Sequence, residues 1–301
     1  MTAGFRVFVL SWLILAAQIA QPDGGGVERG SLPASWTTGA SCPETPAFRT
    51  HAYNDDFVIL RQSGCTNFEK PFLYLLFGAR AALLVDTGAE SADVAGAVRG
   101  AMTAWSARHT GRSLPLIVVH SHGHRDHTAG DAQFRDAPDT TLVAATPPAL
   151  QQFFGLHQWP EAAAAYDLGA RVVDIIPIPG HQEASIAIYD RRTGILLTGD
   201  TLYPGRLYVR DAAAYARSIE RLVGFTDGKV VTHVLGAHIE NARTPYVDYP
   251  EGTKYQPDEH ALELGRAHLL ELNDALHRMN GTIVRSALRD FTIWPLERQP
   301  F

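Results

Sequence analysis

The residues with the clearest capacity for chemistry lie in HSHGHRDH, residues 120–127, which holds four histidines and one aspartate. In a turn that leaves a strand, the alternate rings of His122 and His124 can point toward one ion. Asp126 and His127 come next and can serve a second ion close by. Imidazole and carboxylate groups are ligands of zinc, and also of iron and manganese. The spacing therefore predicts a metal site, provided that other parts of the chain supply further ligands.

Three more candidate ligands lie downstream, each at the end of an apolar run. They are His181 in IPGHQEAS, Asp200 in LLTGDTLY and His238 in LGAHIE. Asp86 occupies the same kind of position in LLVDTG. Residues at the strand ends of α/β folds converge on a shared edge. We therefore expect these side chains to meet the histidines of residues 120–127.

The other histidines carry no such signature. His120 fits none of the ligand positions, and we expect it to cap its strand or to hydrogen-bond nearby. His233 lies inside an apolar run and is expected to be a packed core residue. Surface or packing roles are expected for the remaining histidines.

The elements that must position these residues follow from the apolar periodicity. Short apolar runs indicate strands, at residues 57–60, 72–77, 81–86, 114–120, 141–145, 171–178, 184–190, 194–200 and 229–238. Helices are expected at residues 90–108, 211–223 and 257–279, the last of them opened by Pro257, Asp258 and Glu259. The sequence alone therefore supports an alternating α/β fold without fixing its layers.

An ordered set of short pieces resembles the metallo-β-lactamase superfamily. The pieces are VDTG (85–88), HSHGHRDH (120–127), PGH (179–181), TGD (198–200) and GAH (236–238). The resemblance covers roughly residues 55–240, and its specificity comes from the order of the pieces. It implies an αββα sandwich, in which two mixed sheets are flanked by helices and the metals lie at one edge between the sheets.

The resemblance also assigns ligands to two metal ions. The set for one ion is His122, His124 and His181, and the set for the other is Asp126, His127 and His238. Asp200 would bridge both ions, and Asp86 would support the ligand-bearing loop without touching a metal. Two zinc ions are the expected cofactors, with iron or manganese as alternatives.

Such a centre would be hydrolytic. A water that bridges two dications loses a proton near neutral pH, and the hydroxide would attack an ester, lactone, thioester or related bond. Asp126 would both bind metal and orient the hydroxide. Tyr203, which follows Asp200 closely, would place its phenol over the metals and donate to an oxyanion, and packing is the other role open to it. The chain has no G-x-S-x-G, so a serine esterase has no support.

The sequence leaves the substrate open. An aspartate at position 200 makes the chain more similar to glyoxalase II and lactonase-like members than to true β-lactamases, which usually have Cys or Ser there. Esters, lactones, thioesters, β-lactams and phosphoesters are all chemically admissible. The alternatives are β-lactamase activity at the same centre, a mononuclear iron dioxygenase of the same superfamily, and a non-catalytic binding role. The complete acidic ligand set favours a binuclear hydrolase over the last two.

Composition and charge restrict the partners. The chain has 301 residues, of which 46% are apolar and 19% charged, as in a packed globular protein. The net charge is −6, with no long run of either sign, which gives no support for nucleic-acid binding. A small-molecule substrate is therefore the expected partner, and the oligomeric state does not follow from the sequence.

The N-terminal region indicates export. Arg6 precedes the apolar run VFVLSWLILAAQIA (7–20), which is shorter than the roughly 20 residues that a bilayer-spanning helix needs. We expect residues 1–20 to be a signal peptide, with an uncleaved anchor as the alternative. The mature chain would be periplasmic or extracellular, without stable membrane insertion. Residues 21–50 are expected to form a flexible leader, and residues 51–301 the hydrolase domain.

The two cysteines, Cys42 and Cys65, lie near the expected mature N-terminus. In an exported chain they would form one disulfide. Two unpaired thiols are the alternative, and their spacing does not suit a metal site.

Overall fold

The computed structural model describes residues 26–90 and 92–296. The expected signal peptide, residues 1–20, lies outside the described residues. Within the ranges that are described, no helix combines the length and the apolar character needed to cross a bilayer.

The first sheet has six strands. They are β1 Phe48–Asn54, β2 Phe57–Gln62, β3 Phe72–Phe77, β4 Ala82–Val85, β5 Leu116–Val119 and β6 Thr140–Leu142. They lie side by side in chain order. The first four strands pair antiparallel, whereas β4, β5 and β6 run parallel, so the sheet is mixed.

The second sheet also has six strands. They are β7 Ala164–Asp167, β8 Val172–Pro177, β9 Ile186–Asp190, β10 Ile195–Gly199, β12 His233–Gly236 and β13 Glu263–Leu264. Their order is β13-β12-β10-β9-β8-β7, and β10 and β12 form the parallel pair. A small third sheet has the order β11-β15-β14, with bounds β11 Arg206–Val209, β14 Ser286–Ala287 and β15 Thr292–Pro295. Each expected strand run contains a strand, and β1, β7, β11 and the strands after β12 come in addition.

Five α-helices connect or flank the sheets in the described part of the chain. They are α1 Val94–Arg108, α2 Arg125–Thr128, α3 Pro147–Phe154, α4 Ala212–Phe225 and α5 Arg266–Met279. The side chains of Asp93 and Asp211 accept hydrogen bonds from backbone N–H groups in the first turns of α1 and α4. These caps explain where the two helices begin. The short helix α3 was not expected.

The C-terminal helix begins later than the sequence indicates. It starts at Arg266 rather than at Pro257. The residues expected to open it are irregular, because Glu259 is buried and its Oε2 lies 2.5 Å from Nη1 of the buried Arg61. A long-range ion pair thus overrides a local helix-start pattern.

Burial on both faces explains why the strands read as continuous apolar runs. The inner faces of the two sheets pack together, with Ile59 and Leu197 among the buried residues between them. The outer face of the first sheet packs against α1, through residues such as Val58 and Trp105. The outer face of the second sheet is covered by α4 and α5. The layers are therefore helix, sheet, sheet and helix, which confirms the αββα sandwich.

The segment before β1 differs from the flexible leader that we expected. Trp36 is buried, and its ring packs edge-on against Phe72 and His51 at centroid distances of 5.1 and 5.6 Å. Cys42 and Cys65 form a disulfide. The described residues of this segment are therefore fastened to the domain, and β1 itself begins within the range expected to be leader.

Candidate metal centre

The expected ligands come together at one edge of the sandwich, where strands of both sheets end. Residues 120–127 follow β5 directly, and α2 is the single turn that carries Asp126 and His127. His181 lies beyond the end of β8, Asp200 follows β10, and His238 lies just past β12. The strand ends therefore place side chains from both sheets in one cluster.

The first group consists of three histidines: His122, His124 and His181. Each offers a ring nitrogen within 4.8 Å of the others. Nδ1 of His124 lies 2.9 Å from Nε2 of His122 and 3.0 Å from Nε2 of His181. His122 and His181 are buried, whereas His124 is half-buried and faces the opening of the site.

The second group contains two carboxylates: its members are Asp126, His127, Asp200 and His238. Oδ2 of Asp126 lies 3.0 Å from Nε2 of His127 and 3.2 Å from Nε2 of His238. Oδ1 of Asp200 lies 3.4 Å from each of the same two nitrogen atoms. Two carboxylate oxygens and two ring nitrogens thus surround one small volume.

Asp200 stands between the two groups. Its Oδ1 faces the second group, whereas its Oδ2 lies 3.8 Å from Nε2 of His122 and 3.6 Å from Nε2 of His181. Oδ1 is also a buried oxygen without a hydrogen-bond partner in the described residues. Each oxygen of this carboxylate is therefore directed at a different group, as a bridging ligand requires.

Backbone acceptors fix the tautomers of two ligand histidines. Nδ1 of His181 lies 2.8 Å from the carbonyl oxygen of Tyr208, and Nδ1 of His238 lies 2.9 Å from that of Glu69. A carbonyl oxygen can only accept, so Nδ1 is the donor in both rings. In its neutral form, each of these rings would therefore turn an unprotonated Nε2 toward the centre, which is the form that binds a metal.

The carboxylate of Asp86 fixes the tautomer of His127. Its Oδ2 accepts from Nδ1 of His127 at 3.0 Å and from Oγ of Ser121 at 2.9 Å. Its Oδ1 accepts from the backbone N–H of Ser121 at 2.7 Å. The backbone of Asp86 has a φ of 69°, a conformation that non-glycine residues rarely adopt. One strained residue thus supports both the ring of His127 and the loop that carries His122. Sequence reasoning missed Ser121, although it lies next to a ligand.

Gly199 allows Asp200 to approach this loop closely. Its φ is 51°, and a Cβ atom at this position would lie 2.7 Å from Cβ of Ser121. A side chain would therefore collide with the segment that carries His122. The glycine of TGD is explained by this close approach.

The second group, which we call the acidic group because it contains two carboxylates, is stabilised by positive charge. Burial lowers the pKa of His127 and His238, but the carboxylates of Asp126 and Asp200 outweigh it and hold both pKa values well above the usual range. In the first group no such carboxylate dominates. There, burial and then the neighbouring His181 lower the pKa of His124 to about 4. The first group therefore offers neutral rings, and the second offers rings beside anions.

These residues fit divalent cations. Nε2 of His127 and Nε2 of His238 lie 3.4 Å apart, so protons on both would point at one another. A cation between the two rings would supply the positive charge in place of these protons. It would also give a partner to Oδ1 of Asp200, which has no hydrogen bond. Imidazole nitrogens and carboxylate oxygens are ligands of zinc. The histidine group and the acidic group would hold one ion each, with Asp200 shared.

Tyr203 is placed differently from the donor that we expected. Its side chain is buried, and its hydroxyl donates to the backbone carbonyl of Arg206 and lies 3.2 Å from Oε2 of Glu240. Its ring packs edge-on against the ring of His238, with 5.6 Å between centroids. This placement does not favour the catalytic role that we expected, because the hydroxyl already donates to a backbone carbonyl. It fits the packing alternative.

Of two other histidines, His120 hydrogen-bonds nearby as expected, whereas His233 is the first residue of β12 and does not lie in the core. Nε2 of His120 is 2.8 Å from Oδ1 of Asp131, away from both groups. His233 is half-buried and packs edge-on against Tyr53 at a centroid distance of 6.0 Å. Neither ring belongs to the clusters of potential ligands.

Comparisons with known proteins agree with this geometry. A family model described as the metallo-β-lactamase superfamily matches residues 70–234. The acyl-coenzyme A thioesterase MBLAC2 of Bos taurus is 26% identical over 201 residues, which cover 55% of this chain and 72% of that protein. A hydroxyacylglutathione hydrolase of Methylococcus capsulatus is 29% identical over 161 residues, 51% of this chain and 57% of that protein. The chain thus spans little more than half of the second relative.

The fold is shared with solved structures of low identity. The metallo-β-lactamase FIM-1 of Pseudomonas aeruginosa, in its mono-zinc form, superposes with a TM-score of 0.53. The alignment covers 81% of this chain and all of that chain, at 15% identity. At such low identity this likeness concerns the fold alone. The family model, by contrast, matches more than half of the chain, and the protein therefore belongs to the metallo-β-lactamase superfamily.

Proposed function

We propose that the protein is a metal-dependent hydrolase that uses two divalent cations, zinc in the first instance, to cleave an ester-type bond. The observation that carries the proposal is Asp200, whose two oxygens are directed at two separate groups of ring nitrogens. A single ion would need only one of these groups. The groups meet at the edge where strands of both sheets end, and the half-buried His124 and Asp126 leave one member of each group in contact with solvent.

When bound, the cations would lower the pKa of a coordinated water and polarise the bond under attack. The chain's own residues have separate tasks. His127 and His238 are held by Asp86 and by a backbone carbonyl, so their Nε2 atoms cannot turn away. Asp126 has 23% of its side chain exposed, against none for His127, so it is the acidic ligand that a substrate and a water reach first. We assign to its carboxylate the acceptance of the hydrogen bond that orients the attacking water.

A thioester is the substrate class that we favour. The relatives described above are named an acyl-coenzyme A thioesterase and a hydroxyacylglutathione hydrolase. A thioester carbonyl is an electrophile of the kind that such a centre attacks, and no serine nucleophile is needed. Oxygen esters and lactones present the same reacting carbonyl and are the neighbouring classes. β-Lactamase activity at the same centre is the alternative that a cephalosporin would test.

Export remains part of the proposal. Its support is the apolar N-terminal run after Arg6 and the disulfide between Cys42 and Cys65, since disulfides persist in oxidising compartments. Sequencing the N-terminus of the protein recovered from cells would test it. A start at or near residue 21 supports export, and an intact N-terminus in the cytosolic fraction contradicts it.

The decisive experiment combines metal analysis with turnover. We expect about two zinc ions per chain, and chelator-sensitive cleavage of a thioester, an oxygen ester or a lactone. His122→Ala should lose metal and activity while remaining folded. His157→Ala, a histidine exposed on the surface, is the matched control and should change neither. One iron per chain with oxygen uptake would point to a dioxygenase, and a chain without metal or turnover would point to a non-catalytic role.

A further inference from the structure

A polar cavity lies beside the metal centre and does not belong to the ligand clusters. We call it the side pocket. Glu69, Lys70, Arg206 and Tyr208 line it, together with residues 250–253 and 256 of the irregular segment 250–256, which we call the wall loop. The pocket has a cavity volume of about 140 Å³. That volume is smaller than a complete small-molecule site, so the pocket has room for only part of a ligand.

The side pocket touches both ligand groups. The backbone carbonyl of Glu69 accepts from Nδ1 of His238, and that of Tyr208 accepts from Nδ1 of His181. Two residues that line the pocket thus each hold one ring of a different ligand group, which places the pocket next to both groups and makes it the candidate site for the distal part of a long substrate. The lining side chains are mainly charged or hydroxyl-bearing, so the part that enters should be polar.

The wall loop has no regular structure of its own. Between Pro250 and Gln256 it forms neither helix nor strand, and most of its side chains are exposed. Its position must therefore come from bonds to other segments, because local stability in such a loop is low.

We propose that Lys70 is a positioning residue that fastens the wall loop and thereby sets the specificity for substrates with a long polar leaving group. The side chain of Lys70 is buried, and its ammonium donates to the carbonyl oxygen of Phe68 and, at 2.6 Å, to that of Thr253. One cation thus joins both walls of the pocket. No carboxylate of the described residues forms an ion pair with it within 4.0 Å, so these carbonyls are its main partners. The specificity part of the proposal rests on the proposed hydrolase function.

Two further contacts hold the same loop from the side of the N-terminal segment. Oγ1 of Thr37 donates to the carbonyl of Gln256 at 2.9 Å. Gly64 lies against the carbonyl of Lys254, and a Cβ at Gly64 would stand 2.1 Å from that oxygen. The disulfide ties Cys65, the next residue, to the N-terminal segment. The wall loop is therefore attached at three points, and Lys70 is the one nearest the pocket.

The test compares Lys70→Met with Lys254→Met. Both changes remove one lysine charge. Lys254 belongs to the wall loop but does not line the pocket, and its exposed side chain makes no hydrogen bond within the described residues, so its change removes no attachment of the loop. The substrates are acetyl-coenzyme A and S-acetyl-N-acetylcysteamine, which share the acyl group and the thiol end and differ in the length of the polar arm. We expect Lys70→Met to raise KM for the long thioester about tenfold, with kcat, zinc content and the short substrate little changed. Lys254→Met should leave all four near their native values.

Hydrogen exchange of the wall loop provides a readout that does not depend on turnover. In Lys70→Met the amides of residues 251–256 should exchange faster, above all that of Thr253, which donates to the carbonyl of Pro250. Those of α4 should not change. Thr37→Val removes a different attachment of the same loop and should give a smaller increase, which keeps the test available if Lys70→Met does not fold. Unchanged exchange in both variants, or an equal loss on both thioesters, would overturn the proposal. If the native protein cleaves neither thioester, the thioester assignment and the specificity claim fail together, while exchange still decides whether Lys70 fastens the loop. Chelator-sensitive cleavage of an oxygen ester or a lactone would then still support the hydrolase.

Discussion

The candidate metal centre and the side pocket lie next to each other, but their residues are held in place in different ways. The ligand rings stand at strand ends, and those of His181 and His238 are fixed by backbone carbonyls. The wall loop of the pocket has no regular structure and depends on side-chain bonds from Lys70 and Thr37. Metal chemistry needs ring directions fixed within narrow limits, which strand ends provide. Substrate recognition needs a surface whose residues can vary without moving the metal ligands. A loop that is attached by a few side-chain bonds provides such a surface.

Asp200→Asn should have the largest effect, because it acts on both ligand groups at once. The amide keeps the shape of the carboxylate but removes the charge that the two groups share. We expect zinc content to fall below two ions per chain and kcat/KM to fall about a thousandfold, equivalent to about 4 kcal/mol of transition-state stabilisation. Elemental analysis and steady-state kinetics measure the two quantities.

Asp136→Asn, an exposed aspartate, is the control for this change and should behave as the native protein. Retention of two zinc ions and of native turnover in Asp200→Asn would show that the two groups do not act through a shared carboxylate.

Asp86→Asn should separate the two ions. The amide has one accepting oxygen, so it cannot accept from both the backbone N–H of Ser121 and Nδ1 of His127, which the carboxylate does with separate oxygens. The ring of His127 then loses its fixed tautomer. We expect the affinity for the ion of the acidic group to fall about 10- to 100-fold, with the ion of the histidine group retained. Competition against a chelator of known affinity gives both values.

The matched control is Asp131→Asn. Asp131 also holds a histidine, His120, through a carboxylate, but that ring lies outside the ligand groups. Zinc affinity should not change in this variant. An equal weakening of both ions in Asp86→Asn would contradict the separate support that the structure gives to His127.

Removing the disulfide should change the side pocket and leave the candidate metal centre unchanged. The double variant Cys42→Ser with Cys65→Ser releases the N-terminal segment that meets the wall loop. We expect the free energy of unfolding to fall by about 3 kcal/mol and KM for a long thioester to rise about threefold, with zinc affinity unchanged. Denaturant titration and kinetics on the metal-loaded protein measure these quantities.

Reductant should reproduce this change in the native protein and leave the double variant as it is. A loss of zinc affinity that accompanied the loss of stability would mean that the two regions are not independently held.

The same contrast explains what the sequence could predict. The strands were recognisable because burial on both faces leaves runs such as FVIL and FLYLLF, and the ligands were recognisable because they follow those runs in a fixed order. The side pocket was not recognisable, since Lys70 and Thr253 are 183 residues apart and belong to no common pattern. The start of α5 was misplaced for a related reason: the ion pair of Glu259 with Arg61 spans 198 residues. Local patterns report local structure, and contacts of this length become visible only in the fold.

Tyr203 is the residue for which the sequence and the structure indicate different roles. It follows Asp200 closely, but its hydroxyl donates to the carbonyl of Arg206, beneath the ring of His238. Tyr203→Phe removes only that hydroxyl and should have the smallest effect of the series. We expect kcat and KM to stay within about twofold and the free energy of unfolding to fall by about 1 kcal/mol, as for one lost hydrogen bond.

The result for Tyr203→Phe would show whether Tyr203 supports the ligands or acts on the substrate. A change confined to stability places Tyr203 among the residues that support the ligand edge. A hundredfold loss of kcat at unchanged KM and zinc content would instead mean that the phenol acts on the transition state. Because Lys70→Met is expected to change KM and not kcat, the two variants together distinguish support of the centre, direct action on the substrate and attachment of the pocket wall.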